Sequence, residues 1–230
     1  HYNTTSLQRF VDGLDGTKPN FQPALKSLIL TIDDGHRGNF KLKELIQKWE
    51  IPVTIFICSS IVGTRRRFWW QHRVGSETAL DPSLIRRCQQ LSDAERLRLL
   101  AEFGFAETKE YADFQALTVD EIDQLRQFVD FQSHSRLHPI LPTCSAERAR
   151  DEITQSRNEL EDKFGFNIYA FAYPNGNYSD REMRLAKSAG YKCALTINGR
   201  FNGPQTNPFE LGRTGIFDRA DINELVVKAS

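Results

Sequence analysis

Short β-branched runs recur along the chain, separated by longer stretches in which apolar residues return with helical spacing. Leu28, Ile29, Leu30 and Ile32 form the first run and predict a buried strand over residues 27–33. Phe40, Leu42, Leu45, Ile46 and Trp49 then line one face of a helix over 39–50, which Pro52 stops. Residues 53–58 (VTIFIC) read as a second buried strand. Strand, helix and strand in so short a span make a βαβ unit, which implies a parallel sheet. The alternation resumes further on. Thr118 and Glu121 form a capping box that opens a helix to residue 128, before a strand over 129–132. A long amphipathic helix over 145–164 is closed by Gly165, and a strand follows over 167–172. A helix over 179–189, capped by Ser179 with Glu182, leads to a strand over 192–197. Residues 211–217 read as the last strand and 218–227 as a closing helix.

Two stretches fall outside this rhythm. Residues 1–26 are polar and turn-rich, an irregular arm with a short helix near 7–11. Residues 59–117 read as a mainly helical insertion, in which Ser92 and Glu95 cap a helix over 92–103. The whole predicts a single α/β domain over 1–230, barrel-like or doubly wound.

Composition narrows the function. The chain has 230 residues, 40% apolar and 26% charged, enough for one good core. Thirty basic and thirty acidic residues cancel to zero net charge, which argues against a nucleic-acid partner. The cluster Arg65, Arg66 and Arg67 reads as a solvated loop. No apolar run is long enough to span a membrane. Cys58, Cys88, Cys144 and Cys193 are scattered and lack a C-x-x-C pair, so they do not read as a metal cluster and fit a reducing compartment. With no leader visible, a cytoplasmic location is favoured. The start at His1 leaves room for a removed leader, and so for a periplasmic or secreted protein, or for a longer parent.

The chemistry gathers where two strands end. Asp33 and Asp34 follow the first strand, and His134 and His138 follow the strand over 129–132. In a parallel sheet both motifs lie on one rim. Adjacent carboxylates repel each other unless a cation or a shared proton relieves them. Two neutral imidazoles and one carboxylate suit a zinc-like ion with an open water position, and the second carboxylate is free to act as a base. Such a set can hydrolyse an amide or an ester.

Thr31-Ile32-Asp33-Asp34-Gly35 resembles the first motif of the polysaccharide deacetylases (carbohydrate esterase family 4), and His134-Ser135-Arg136-Leu137-His138 resembles their second, H-[ST]-x-x-H. Phe171-Ala172-Tyr173-Pro174-Asn175-Gly176 is similar to the third, in an F-A-Y-P variant. The resemblance implies a distorted (β/α) barrel of about seven parallel strands and metal-dependent removal of N- or O-acetyl groups from sugars. It implies Asp33 as general base and Asp34, His134 and His138 as metal ligands, with zinc the default and Co, Mn, Ni or Fe accepted by the same donors. The wall Tyr173, Pro174 and Asn175 would contact substrate, with the backbone N–H near Asn175 stabilising the oxyanion.

Two departures from the family pattern stand out. The third motif lacks the arginine that orients the base, and Arg213 is the candidate replacement. No histidine follows His138 to serve as the late general acid; His72, in the insertion, is one candidate, and Asp33 acting twice or a water are the others. Trp69, Trp70, Tyr173, Tyr178 and Phe201 offer sugar-stacking surfaces, with Trp70 and Tyr173 favoured, whereas Glu152 and Glu159 read as a solvated helix face. The expected substrate is an N-acetylated sugar of a surface polysaccharide or its precursor. The competing readings are a carbohydrate-binding pseudoenzyme and a metal hydrolase of a non-sugar amide or formyl group. Neither the sugar nor the oligomeric state is legible.

Overall fold

The structure, a computed structural model, describes residues 3–14, 27–74, 78–203 and 205–216. The chain opens with β1 (Asn3–Thr4) and α1 (Leu7–Leu14), followed by β2 (Ser27–Leu28) and β3 (Leu30–Ile32). Next come α2 (Lys43–Trp49) and β4 (Val53–Ile57). The insertion holds β5 (Arg73–Val74), β6 (Thr78–Ala79), α3 (Pro82–Gln90) and α4 (Asp93–Glu102). Then follow α5 (Val119–Leu125), β7 (Val129–Ser133), α6 (Ala146–Phe164), β8 (Ala170–Ala172), α7 (Asp180–Ser188) and β9 (Cys193–Leu195).

The main sheet is five-stranded and parallel, in the order β3-β4-β7-β8-β9. Strand order follows chain order, as in successive staves of a barrel, so the fold is a distorted (β/α) barrel. Every residue of the interior strand β4 is buried. Alternation along β4 divides two cores. Ile55 and Ile57 pack with Ile46 of α2, Ile122 of α5 and Ile153 of α6. Phe56 joins Leu7 and Val11 of α1 and the strand residues Ala172, Cys193 and Leu195. Both faces are thus covered, as a parallel sheet requires. A third cluster, with Trp69, Cys88, Leu100, Phe105 and Ile140, gives the insertion its own core.

Several expectations need correction. The strand over 27–33 is split: β2 pairs with β1, and only β3 enters the main sheet. It is partly rather than fully buried, because it lies at the edge of that sheet. Among the described residues the main sheet has five strands, short of the seven expected. The missing last strand is reduced to one parallel bridge between Leu211 and Leu195. There Gly212 packs against the 198–200 loop, and a Cβ on it would lie 2.5 Å from the Arg200 carbonyl oxygen. The expected closing helix over 218–227 lies outside the described residues. The insertion is not purely helical: the antiparallel β5–β6 pair precedes α3, and turns follow α4.

Candidate active site and metal centre

Asp33 and Asp34 leave β3 in a left-handed turn. Asp34 (φ 73°) and Gly35 (φ 70°) both adopt it. A Cβ on Gly35 would lie 2.6 Å from Ile57 Cγ2, so backbone and packing both demand glycine. The Leu117 N–H closes the turn on the Gly35 carbonyl at 2.9 Å. Gly35→Ala is expected to cost about 2–5 kcal/mol, the sum of a left-handed alanine and an overpacked core. It should appear as a lower urea midpoint at unchanged slope.

The turn sends the two carboxylates to different partners. Arg213 donates to Asp33 through both terminal nitrogens, Nη1 to Oδ1 and Nη2 to Oδ2, each at 2.7 Å. Its remaining donors hold the Thr196 carbonyl at 3.0 Å and Thr31 Oγ1 at 3.1 Å. Its guanidinium also lies 5.5 Å from the centre of the Phe56 ring. This fork cannot swing freely, so it fixes the orientation of Asp33. The structure therefore brings together two residues 180 positions apart in the chain.

Asp34 faces the histidines instead. Its Oδ1 lies 3.3 Å from His134 Nε2 and 3.2 Å from His138 Nε2. One ligand atom from each of the three residues falls within 4.8 Å of the others. His134 Nδ1 donates to the Ala172 carbonyl at 2.8 Å, which fixes the tautomer and leaves Nε2 bare. Trp69 Nε1 donates to the His138 carbonyl at 3.2 Å, and the Trp70 ring centre is 4.2 Å from that of His138. The His134 and His138 side chains are 1% and 4% exposed, against 31% for Asp34. The group is anchored inside and reached from solvent.

Its electrostatics call for a cation. Burial works to raise the Asp33 pKa, but the Arg213 charge and then His134 outweigh it and hold the carboxyl below its ordinary range. Burial likewise opposes ionisation of Asp34, and hydrogen bonds from His134 and His138 again win. Burial alone would lower His134, yet the Asp33 and Asp34 charges raise it, whereas burial lowers His138. Two carboxylates against one guanidinium leave an excess negative charge, which holds the His134 pKa above its ordinary value. A divalent ion would satisfy that excess directly. The donor set of one carboxylate oxygen and two imidazole nitrogens therefore fits a divalent metal ion.

The other expected site residues divide. Pro174 is buried, while Asn175 is exposed, in a left-handed conformation (φ 56°), and its N–H finds no acceptor among the described residues. Tyr173 does not offer the expected stacking surface. Its ring is fully buried against Tyr178 at 4.8 Å, and its hydroxyl donates to the Phe209 carbonyl. His72 is a packed residue of the insertion: it is 2% exposed, and its Nε2 donates to the Phe103 carbonyl at 2.9 Å. Arg65, Arg66 and Arg67 are not simply solvated. Arg67 pairs with Asp113 and lies over Tyr111, Arg66 donates to the Ser60 carbonyl, and Arg65 lies over Phe114.

Sequence reasoning missed Glu152. It is completely buried, and its Oε2 accepts from the Arg136 N–H at 2.8 Å and the Leu137 N–H at 2.9 Å. Burial pushes its carboxyl up to about 7 against the opposing Arg148 charge. The signal was present: Ala149, Ile153, Ser156 and Leu160 form the buried stripe of α6, and Glu152 falls in phase with it.

The fold has counterparts among known proteins. The chain is similar in structure to the Streptococcus pyogenes deacetylase PplD in complex with acetate. The TM-score is 0.70 and the identity 19%, with 100% of this chain and 80% of that chain covered. It is also similar to a de-N-acetylase from Aggregatibacter actinomycetemcomitans (TM-score 0.64, 15% identity, 99% of this chain and 83% of that chain). A third is the BpsB deacetylase domain from Bordetella bronchiseptica (TM-score 0.64, 18% identity, 93% of this chain and 78% of that chain). A comparison with curated protein sequences returned no match. Residues 22–194 match the family model described as polysaccharide deacetylase, most of the chain. The chain belongs to the polysaccharide deacetylase family, and it is a deacetylase acting on sugars.

Proposed function

We propose that this protein hydrolyses the N-acetyl groups of a surface polysaccharide or its precursor, at a metal ion held by Asp34, His134 and His138. The observation that carries this reading is the convergence of both histidine Nε2 atoms on one oxygen of Asp34 beside a separately clamped Asp33. When bound, the ion polarises the acetyl carbonyl and acidifies a water. Asp33 is the general base: held by Arg213 and partly open to solvent, it accepts the proton of the attacking water. The Asn175 N–H is the donor offered to the developing oxyanion, since the Tyr173 N–H is already spent on the Leu195 carbonyl at 3.1 Å. Trp70 walls the centre on the insertion side, next to His138. Zinc is the ion this donor set favours. All four cysteines are buried free thiols, which supports a reducing compartment as the place of action. No helix among the described residues is long and apolar enough to cross a membrane.

Arg213→Met tests the clamp. Arg213 lowers the Asp33 pKa, so its loss raises it, and the base is then protonated over a wider range. The acidic limb of kcat/KM is expected to move up by about 1–3 pH units. A limb at the wild-type position would show that Asp33 is not the titrating base.

A further inference from the structure

The loop from His134 to His138 is an unusual piece of backbone. Ser135 (φ 65°) and His138 (φ 57°) are both left-handed without being glycine. Such a loop persists only where its surroundings over-determine it. Its carbonyls are held by the loop after β4, with Ser59 N–H donating to the Ser135 carbonyl and Ser60 N–H to the Arg136 carbonyl, each at 3.1 Å. Its amides are held by α6. Oε2 of Glu152 takes both central N–H groups, those of Arg136 and Leu137, at 2.8 and 2.9 Å. The remaining His138 N–H goes to Ser135 Oγ at 3.0 Å. One turn further along α6, Ser156 Oγ meets Ser133 Oγ at 2.7 Å, so a single helix face grips the strand end and the loop together.

We propose that Glu152 is a positioning residue of the metal centre. Its carboxylate sets the spacing of His134 and His138 by clamping the two amides between them. This inference rests on the reading of Asp34, His134 and His138 as ligands. Glu152 touches neither histidine; it acts through the backbone that carries them. Its second oxygen lies 3.2 Å from Arg148, which also pairs with Glu107 at 2.5 Å, so the clamp is tied to the insertion. Reach is therefore what matters at this position. Negative charge matters less, because Arg148 keeps Glu107 and Asp93 as partners if Glu152 is neutral.

Glu152→Gln and Glu152→Asp separate reach from charge. Gln keeps an acceptor oxygen at full reach and loses the charge. Asp keeps the charge but retreats by about 1.5 Å, one carbon–carbon bond, which takes both amides out of hydrogen-bond range. The measurements are Co2+ affinity by competition with a chelator, the visible absorption of the Co2+ protein, and steady-state kinetics. Glu152→Asp is expected to bind Co2+ about 10–100-fold more weakly, the usual cost of losing an outer-shell partner. It should also show an altered cobalt spectrum and a lower kcat at unchanged KM, while Glu152→Gln stays within a few-fold of wild type on all three. Wild-type behaviour of Glu152→Asp, or equal loss in both variants, would overturn the proposal. A wild-type protein that binds no Co2+ would instead refute the metal reading on which it rests.

Discussion

Asp33→Asn is expected to lower kcat by about 10²–10⁴-fold, the contribution of a positioned general base, while Co2+ or Zn2+ still binds at the wild-type level. The two effects separate because Asp33 and Asp34, though adjacent, serve different partners. Asp33 is engaged by both terminal nitrogens of Arg213 at 2.7 Å, whereas its nearest contact with the histidines is 4.0 Å, to His134 Nε2. An asparagine there keeps the shape and one acceptor oxygen for Arg213, but its amide cannot take a proton from water at neutral pH. Acetate release under saturating metal, together with metal content by elemental analysis, checks both halves. If turnover and metal were lost together, Asp33 would belong to the ligand set instead.

Asp34→Asn should give the opposite signature. Asparagine tolerates the left-handed backbone at this position, so the turn survives the change. What disappears is the anionic oxygen that both histidine Nε2 atoms approach within 3.3 Å. Metal affinity is expected to fall by more than the roughly 10–100-fold that an outer-shell loss costs, and activity should return in part when excess metal is supplied. Calorimetric titration of the stripped protein with Zn2+ reads the first effect, and acetate release against metal concentration reads the second. Two neighbouring isosteric substitutions, one silencing turnover and one silencing binding, assign the roles more firmly than either alone.

Much of this was legible because local patterns and tertiary structure agree. The β-branched, largely apolar run of β4 fits an interior parallel strand, buried on both faces. The capping boxes at Ser92, Thr118 and Ser179 each open a helix where expected, and Gly165 ends α6 in a left-handed cap. The Asp33-Asp34 and His134–His138 motifs were readable because each immediately follows a strand, and the sheet is parallel.

The failures share a cause, which is that long-range contacts decided them. Burial of β3 is limited by its edge position, a fact of strand order that no local pattern encodes. Tyr173 reads as a surface aromatic in sequence, but Tyr178 and the Phe209 carbonyl draw its ring and hydroxyl inside. The 211–217 run has strand-like residues, yet Gly212 packs on the neighbouring loop and, among the described residues, only Leu211 forms a bridge. Glu152 reads as solvated by residue type, although its phase on α6 places it among buried positions. Arg213 is legible in the sequence only as a partner that Asp33 lacks, since nothing near it in the chain marks it.

In the proposed function, Asp34, His134 and His138 hold a metal ion at which Asp33 drives hydrolysis of a sugar N-acetyl group. The most direct test is acetate release from N-acetylglucosamine oligomers and related N-acetylated sugars by chelator-stripped protein, before and after titration with Zn2+. No release is expected without metal and full release at one equivalent, with release from Asp33→Asn lower by about 10²–10⁴-fold under the same conditions. Undiminished release from the stripped protein, or no release at one equivalent of bound Zn2+ from any N-acetylated sugar, would contradict it.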